Sequence, residues 1–139
     1  MGYCIYLRSS RFYIPNASKD MALKAMKELI GQETIHDSIG YHYAWVSTDE
    51  FLNAKTLKDA MAAWRYDIEE DDLGNVIGIE FTGEKLGDEL IMFKAIAPYV
   101  QDGSYLEMQG EDGESWRWLF RFNDVKEISP KVSWDENEE

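Results

Sequence analysis

Residues 104–122, SYLEMQGEDGESWRWLFRF, constrain the fold of this chain more than any other stretch. Two runs of β-favouring side chains flank Gly110, Glu111, Asp112 and Gly113, and an Asp-Gly step between such runs is a strong signal for a tight hairpin. Side chains alternate between the faces of a strand. The second run therefore predicts Trp116, Trp118, Phe120 and Phe122 on one side, with Arg117, Leu119 and Arg121 on the other. Four large rings on one face need cover. Burying each is worth about 1.5–3 kcal/mol, whereas a ladder that size left in water is a binding surface or an aggregation hazard. The ring face is expected to form the core, and the two arginines to pair with Glu107 or with carboxylates of the acidic segments.

The cover is legible elsewhere. In NASKDMALKAMKELIG, Asn16 or Ser18 can cap a helix whose Met21, Leu23, Ala25, Met26, Leu29 and Ile30 recur near a 3.6 period, with Gly31 closing it. Thr56 and Asp59 flank the start of a second helix over residues 57–66. DELIMFKAIA reads as a third, with Asp88 near its N-terminus and Pro98 halting it. Ser47 and Glu50 have capping-box spacing for one short turn more. Strands are expected over residues 3–14, bent at Ser9 and Ser10, over 41–46, and over 76–81 with a bulge or close approach at Gly78. Asn123 and Asp124 turn the chain into VKEI, and residues 132–134 add a short strand. Residues 32–40 read as a loop and 68–75 as an acidic linker. The expectation is an α+β fold: a twisted, mainly antiparallel sheet of about five to six strands packed on one face by two to three helices. It forms one domain over residues 1–134, followed by an acidic disordered tail over 135–139.

Charge narrows the function classes. Fourteen Lys and Arg face 27 Asp and Glu, a net charge of −13, which repels nucleic acid and anionic membrane and favours a basic protein partner. Residues 1–31 run against this, with five basic side chains to Asp20 and Glu28, a surplus that reads as a solvated helix face. No run reaches the roughly 18–20 apolar residues of a membrane span, and MGYCIYLRSSRFY lacks the order of a signal peptide, so a cytoplasmic protein is expected. Cys4 has no second cysteine to pair with and reads as a buried reduced thiol.

Catalytic patterns are thin. His36 and His42 have no Cys or His at a metal-ligand spacing, no phosphate loop is present, and the carboxylate run lacks the order of a calcium loop, so no cofactor or metal is expected. What remains is the carboxylate surface: Asp67, Glu69, Glu70, Asp71 and Asp72, with Glu111, Asp112 and Glu114 at the hairpin tip. Such an array can compete with phosphates for the basic groove of a nucleic-acid-binding protein or nuclease. The alternative is an anion site that binds or cleaves a nucleotide through Arg117, Arg121, His42 and Tyr43. A structural subunit is a third class.

The run from Asp88 to Phe122 resembles a pattern of small proteins from phages and other mobile elements. It combines a helix ending in Ala97-Pro98, then Gly103-Ser104-Tyr105, then Gly-Glu-Asp-Gly before Trp116-Arg117-Trp118. MGYCIYL before a Lys-rich helix is similar in style. The resemblance implies a counter-defence setting, of the kind in which anti-CRISPR proteins block a host nuclease, and transfers no functional residue.

Overall fold

The computed structural model describes residues 2–33, 35–37 and 40–135. The predicted terminal hairpin forms as β6 (Tyr105–Gly110) and β7 (Ser115–Arg121), with Gly113 at φ +87° in the turn. β1 (Ile5–Arg11) pairs antiparallel with the far side of β6, and β8 (Asp124–Ile128) pairs with β7, giving a four-stranded sheet in the order β1-β6-β7-β8. Two further antiparallel hairpins lie outside this sheet among the described residues: β2 (Ile35–Asp37) with β3 (Gly40–His42), and β4 (Tyr66–Glu70) with β5 (Val76–Phe81). The fold is α+β, but its main sheet has four strands where five to six were expected.

The shortfall is a seam. Among the described residues the β1 edge and the β5 side of the second hairpin are joined by two isolated bridges, between Cys4 and Lys85 and between Ile14 and Val76. At the second, each backbone N–H donates to the other's carbonyl at 2.8–3.0 Å. Both registers step along this stretch, β1 between Leu7 and Ser9 and the β4–β5 ladder between Glu69 and Glu70. A bulge bends its strand and raises the local twist, which suits isolated bridges here in place of a continuous ladder.

Helices α1 (Lys19–Lys27), α2 (Thr48–Asn53), α3 (Leu57–Ala63) and α4 (Glu89–Ile96) gather on the inner side of the sheet. Phe93 of α4 joins the layers, its ring centroid 5.6 Å from Trp118, 5.8 Å from Phe120 and 5.0 Å from Tyr66. Trp64, just after α3, is sealed between Tyr43 and Phe51. Thr56 accepts the Asp59 N–H as the spacing requires, whereas Ser47, Asn16 and Ser18 make no side-chain cap bond.

Other local expectations change. The ring ladder holds for Trp118 and Phe120, and Trp116 is partly covered, but Phe122 is 84% exposed. β7 ends at Arg121, and Phe122 with Asn123 forms the turn, both at positive φ (+56° and +62°), the two-residue pattern whose twist suits a hairpin. The first three residues of the supposed acidic linker belong to strand β4, because Tyr66 and Ile68 alternate inward against Asp67 and Glu69 outward and charge on one face hid a period of two, while residues 71–75 form the expected turn. The supposed loop at 32–40 holds most of the β2–β3 hairpin, so the strand expected over 41–46 stops at His42, and Trp45 follows at φ +64°. Residues 132–134 form no strand, and 136–139 of the expected disordered tail lie outside the described residues. Cys4 is half-buried, with its sulfur 2.9 Å from the Lys85 ammonium.

Candidate functional site

The solvent face of the β4–β5 hairpin groups carboxylates that the described residues leave unpaired. Asp67 stands directly opposite Glu80 in the ladder, and Glu69 opposite Gly78. Like charges directly across an antiparallel pair destabilise it. Gly78 is what admits Glu69: a Cβ there would lie 3.0 Å from the Glu69 carboxylate. Asp67, Glu69, Glu80 and Asp72 make no side-chain hydrogen bond or ion pair among the described residues. Leu73, 77% exposed, tips the turn beside them.

Their neighbours do structural work. Glu70 accepts from the Lys19 ammonium at 2.8 Å, tying β4 to α1. Asp71 closes the turn by accepting from the Asn75 side chain and from the backbone N–H groups of Leu73 and Asn75, which hold its carboxyl below the usual range. At the β6–β7 tip, Glu111 accepts the Cys4 N–H at 2.8 Å. Asp112 accepts from the Tyr3 hydroxyl and the Glu114 N–H, so its pKa falls while that of Tyr3 is pushed up to about 12.

The two acidic groups do not converge. The β4–β5 turn lies where Val76 bridges Ile14, and the β6–β7 tip lies where Gly110 pairs with Ile5. At about 3.3 Å per residue the intervening strand sets them roughly 30 Å apart. The eight carboxylates proposed from sequence therefore divide between two hairpins: Asp71 and Asp72 lie at the far turn, Asp67, opposite Glu80, lies alongside β1 between the two bridges, and Glu111, Asp112 and Glu114 lie at the β6–β7 tip. Of the eight, Asp67, Glu69, Asp72 and Glu114 keep outward charge without a partner of their own among the described residues. Glu80, which belongs with the first patch, was missed because it lies in VIGIEF, a run read for its apolar character.

The alternative anion set also divides. Arg117 and Arg121 project from the outer face of the sheet, where Arg117 Nε donates to Glu107 at 2.8 Å, the cross-strand pair expected for it. Tyr43 is on the helical side: its ring packs on Trp64, its hydroxyl donates to the Leu29 carbonyl at 2.7 Å, and burial raises its pKa. His42, half-buried, adjoins it, so the sheet separates this pair from the arginines.

No protein-family model, curated protein or solved structure matches this chain. Among the described residues no cluster of His, Cys, Asp and Glu is arranged to hold a metal ion, and no helix is long and apolar enough to cross a membrane.

One charged cluster escaped the sequence reading altogether. Glu89 of α4 is 1% exposed; it accepts from the Tyr66 hydroxyl at 2.8 Å and the Gly87 N–H at 2.6 Å, and lies 3.6 Å from an Arg65 guanidinium nitrogen. Arg65 follows α3 at φ +72°, a left-handed position that helix ends usually give to glycine. Its guanidinium donates to the Lys85 carbonyl at 2.6 Å and lies over the Phe81 ring. With Glu89 buried and Arg65 partly exposed, the cluster fastens α3, β4 and α4 to residues 83–87, and nothing in the spacing of Arg65 and Glu89 announces it.

Proposed function

We propose that this protein is a non-catalytic binding protein that recognises a basic surface on a nucleic-acid-handling partner through the outer face of the β4–β5 hairpin. The supporting observation is the direct opposition of Asp67 and Glu80, with Glu69 on the same face, in a ladder that gains nothing from it. A feature that weakens the isolated fold without local compensation fits a surface whose counter-charge arrives with a partner. Occupying the basic groove would exclude nucleic acid and inhibit that partner, consistent with the counter-defence setting implied by the resemblance.

The experiment pairs affinity capture at low and high ionic strength with Asp67→Lys. That substitution turns a like-charge pair into an opposite-charge one, so the fold keeps or slightly gains stability while binding weakens. Binding indifferent both to salt and to Asp67→Lys would refute the proposal.

A further inference from the structure

The outer face of the four-stranded sheet is uncovered and opposite in sign to the molecule as a whole. Arg8, Arg11, Arg117 and Arg121, four of the five arginines in the chain, lie on it with Lys126. Against them stand Glu107, paired with Arg117, and Asp124, held by Lys94 at 3.0 Å. The face thus has a surplus of three positive charges on a chain of net −13. The register places these groups in rows: Arg11, Tyr105, Leu119 and Lys126 cross the sheet side by side, and Glu107, Arg117 and Ile128 form the next row.

Several of these side chains are already fixed. The Arg117 guanidinium lies 4.3 Å from the Tyr105 ring centroid while bonded to Glu107, and Arg8 donates to Gln109 at 2.5 Å. Groups held in place before binding lose less freedom on binding. At one corner Phe122 borders a cavity of about 430 Å³ with Leu119, Arg121 and Lys126. A bulky side chain at positive φ is an outlier, and here it costs stability to hold an aromatic ring in water. Exposed aromatic and arginine side chains are the residue types that dominate binding hot spots.

We propose that this face, with Phe122 as its anchor, docks an acidic surface of a partner protein, separately from the carboxylate hairpin. Charge complementarity selects an acidic occupant, and the frame of the face selects a folded protein over nucleic acid. Glu107 sits within the face, Glu111, Asp112 and Glu114 lie at one end of it, and the Asp67–Glu80 hairpin flanks β1. Charges act over about 8–10 Å at physiological salt, so a continuous phosphate chain leaving the face would run into carboxylates, whereas a compact acidic patch ends where the positive charge ends.

The test is fluorescence anisotropy with two labelled probes, a peptide of repeating Glu-Glu-Leu and an oligothymidylate, on the full chain. The peptide is expected to bind saturably, and about tenfold more weakly to the Arg11→Glu, Lys126→Glu double variant. Phe122→Gly is expected to weaken binding while raising the melting temperature, a combination that damage to the fold does not produce. Absence of saturable peptide binding, binding indifferent to the double variant, or tighter binding of the oligothymidylate through the same residues would each overturn the proposal.

Discussion

Replacing Glu89 with glutamine removes one charge from the Arg65–Glu89 cluster and almost no volume. Glutamine can still accept the Gly87 N–H and meet the Tyr66 hydroxyl, so the main loss is the counter-charge 3.6 Å from Arg65. Removing one partner of a buried ion pair costs about 3–5 kcal/mol. Arg65 keeps 17% side-chain exposure and its bond to the Lys85 carbonyl, which place the expected loss at the low end, about 3 kcal/mol. Tyr66→Phe leaves the carboxylate charged and deletes one hydrogen bond to it, a loss of about 2 kcal/mol. Urea unfolding at neutral pH, followed through the fluorescence of buried Trp64 and Trp118, reads both. For a slope of 1–3 kcal/mol/M the Glu89→Gln midpoint falls by roughly 1–3 M. A midpoint within about 0.3 M of the parent would show that Arg65 needs no counter-charge and that this account of the cluster is wrong. A second signature lies at high pH. Burial, then the charge and hydrogen bond of Glu89, raise the Tyr66 pKa well above its ordinary value. Above about pH 10 the unfolded chain releases a proton that the native state keeps, so this contribution to stability is lost as pH rises. In Glu89→Gln the native pKa lies closer to the ordinary value, and the alkaline loss levels off at a lower pH.

The Tyr3–Asp112 pair makes stability depend on pH at both extremes. Hydrogen bonding lifts Tyr3 to about 12, so its contribution is complete below about pH 10 and disappears as pH rises toward 12; it lowers Asp112, whose contribution is present above the ordinary carboxylate range and lost as acid protonates it. Tyr3→Phe is therefore expected to flatten both flanks of a melting-temperature profile, and a profile parallel to that of the parent would contradict the linkage. Gly110→Ala would put a Cβ 1.6 Å from the Tyr3 hydroxyl oxygen, expelling that ring from the β6–β7 tip at a cost of about 2 kcal/mol. In a Tyr3→Ala background most of the penalty should vanish, so a double-mutant cycle with coupling below about 0.5 kcal/mol would exclude the clash.

The terminal hairpin, the helix opened by Thr56 and the helix stopped before Pro98 were legible because each rests on contacts a few residues apart: a turn residue, a cap, a proline. Where local signals competed, the reading slipped. Asn123 marked the β7–β8 turn, but the turn pairs it with Phe122 rather than Asp124, and that one-residue shift moved an aromatic ring from the core to the surface. Three acidic residues among the five of β4, and two more at the start of its turn, disguised a strand, since composition averages over the two faces that alternation separates.

Neighbouring residues alone carry the α+β class, the inward placement of Trp118 and Phe120 and the excess of negative charge, since periodicity, turn chemistry and charge count are local properties. Only the tertiary structure decided where the charges went. The register along β1 set the β4–β5 turn and the β6–β7 tip at opposite ends, the seam left β4–β5 as a flanking hairpin, and the pairing of β1, β6, β7 and β8 gathered arginines from positions 8 to 121 onto one face. Those outcomes depend on hydrogen bonds between residues up to about a hundred positions apart, whose partners no local pattern names.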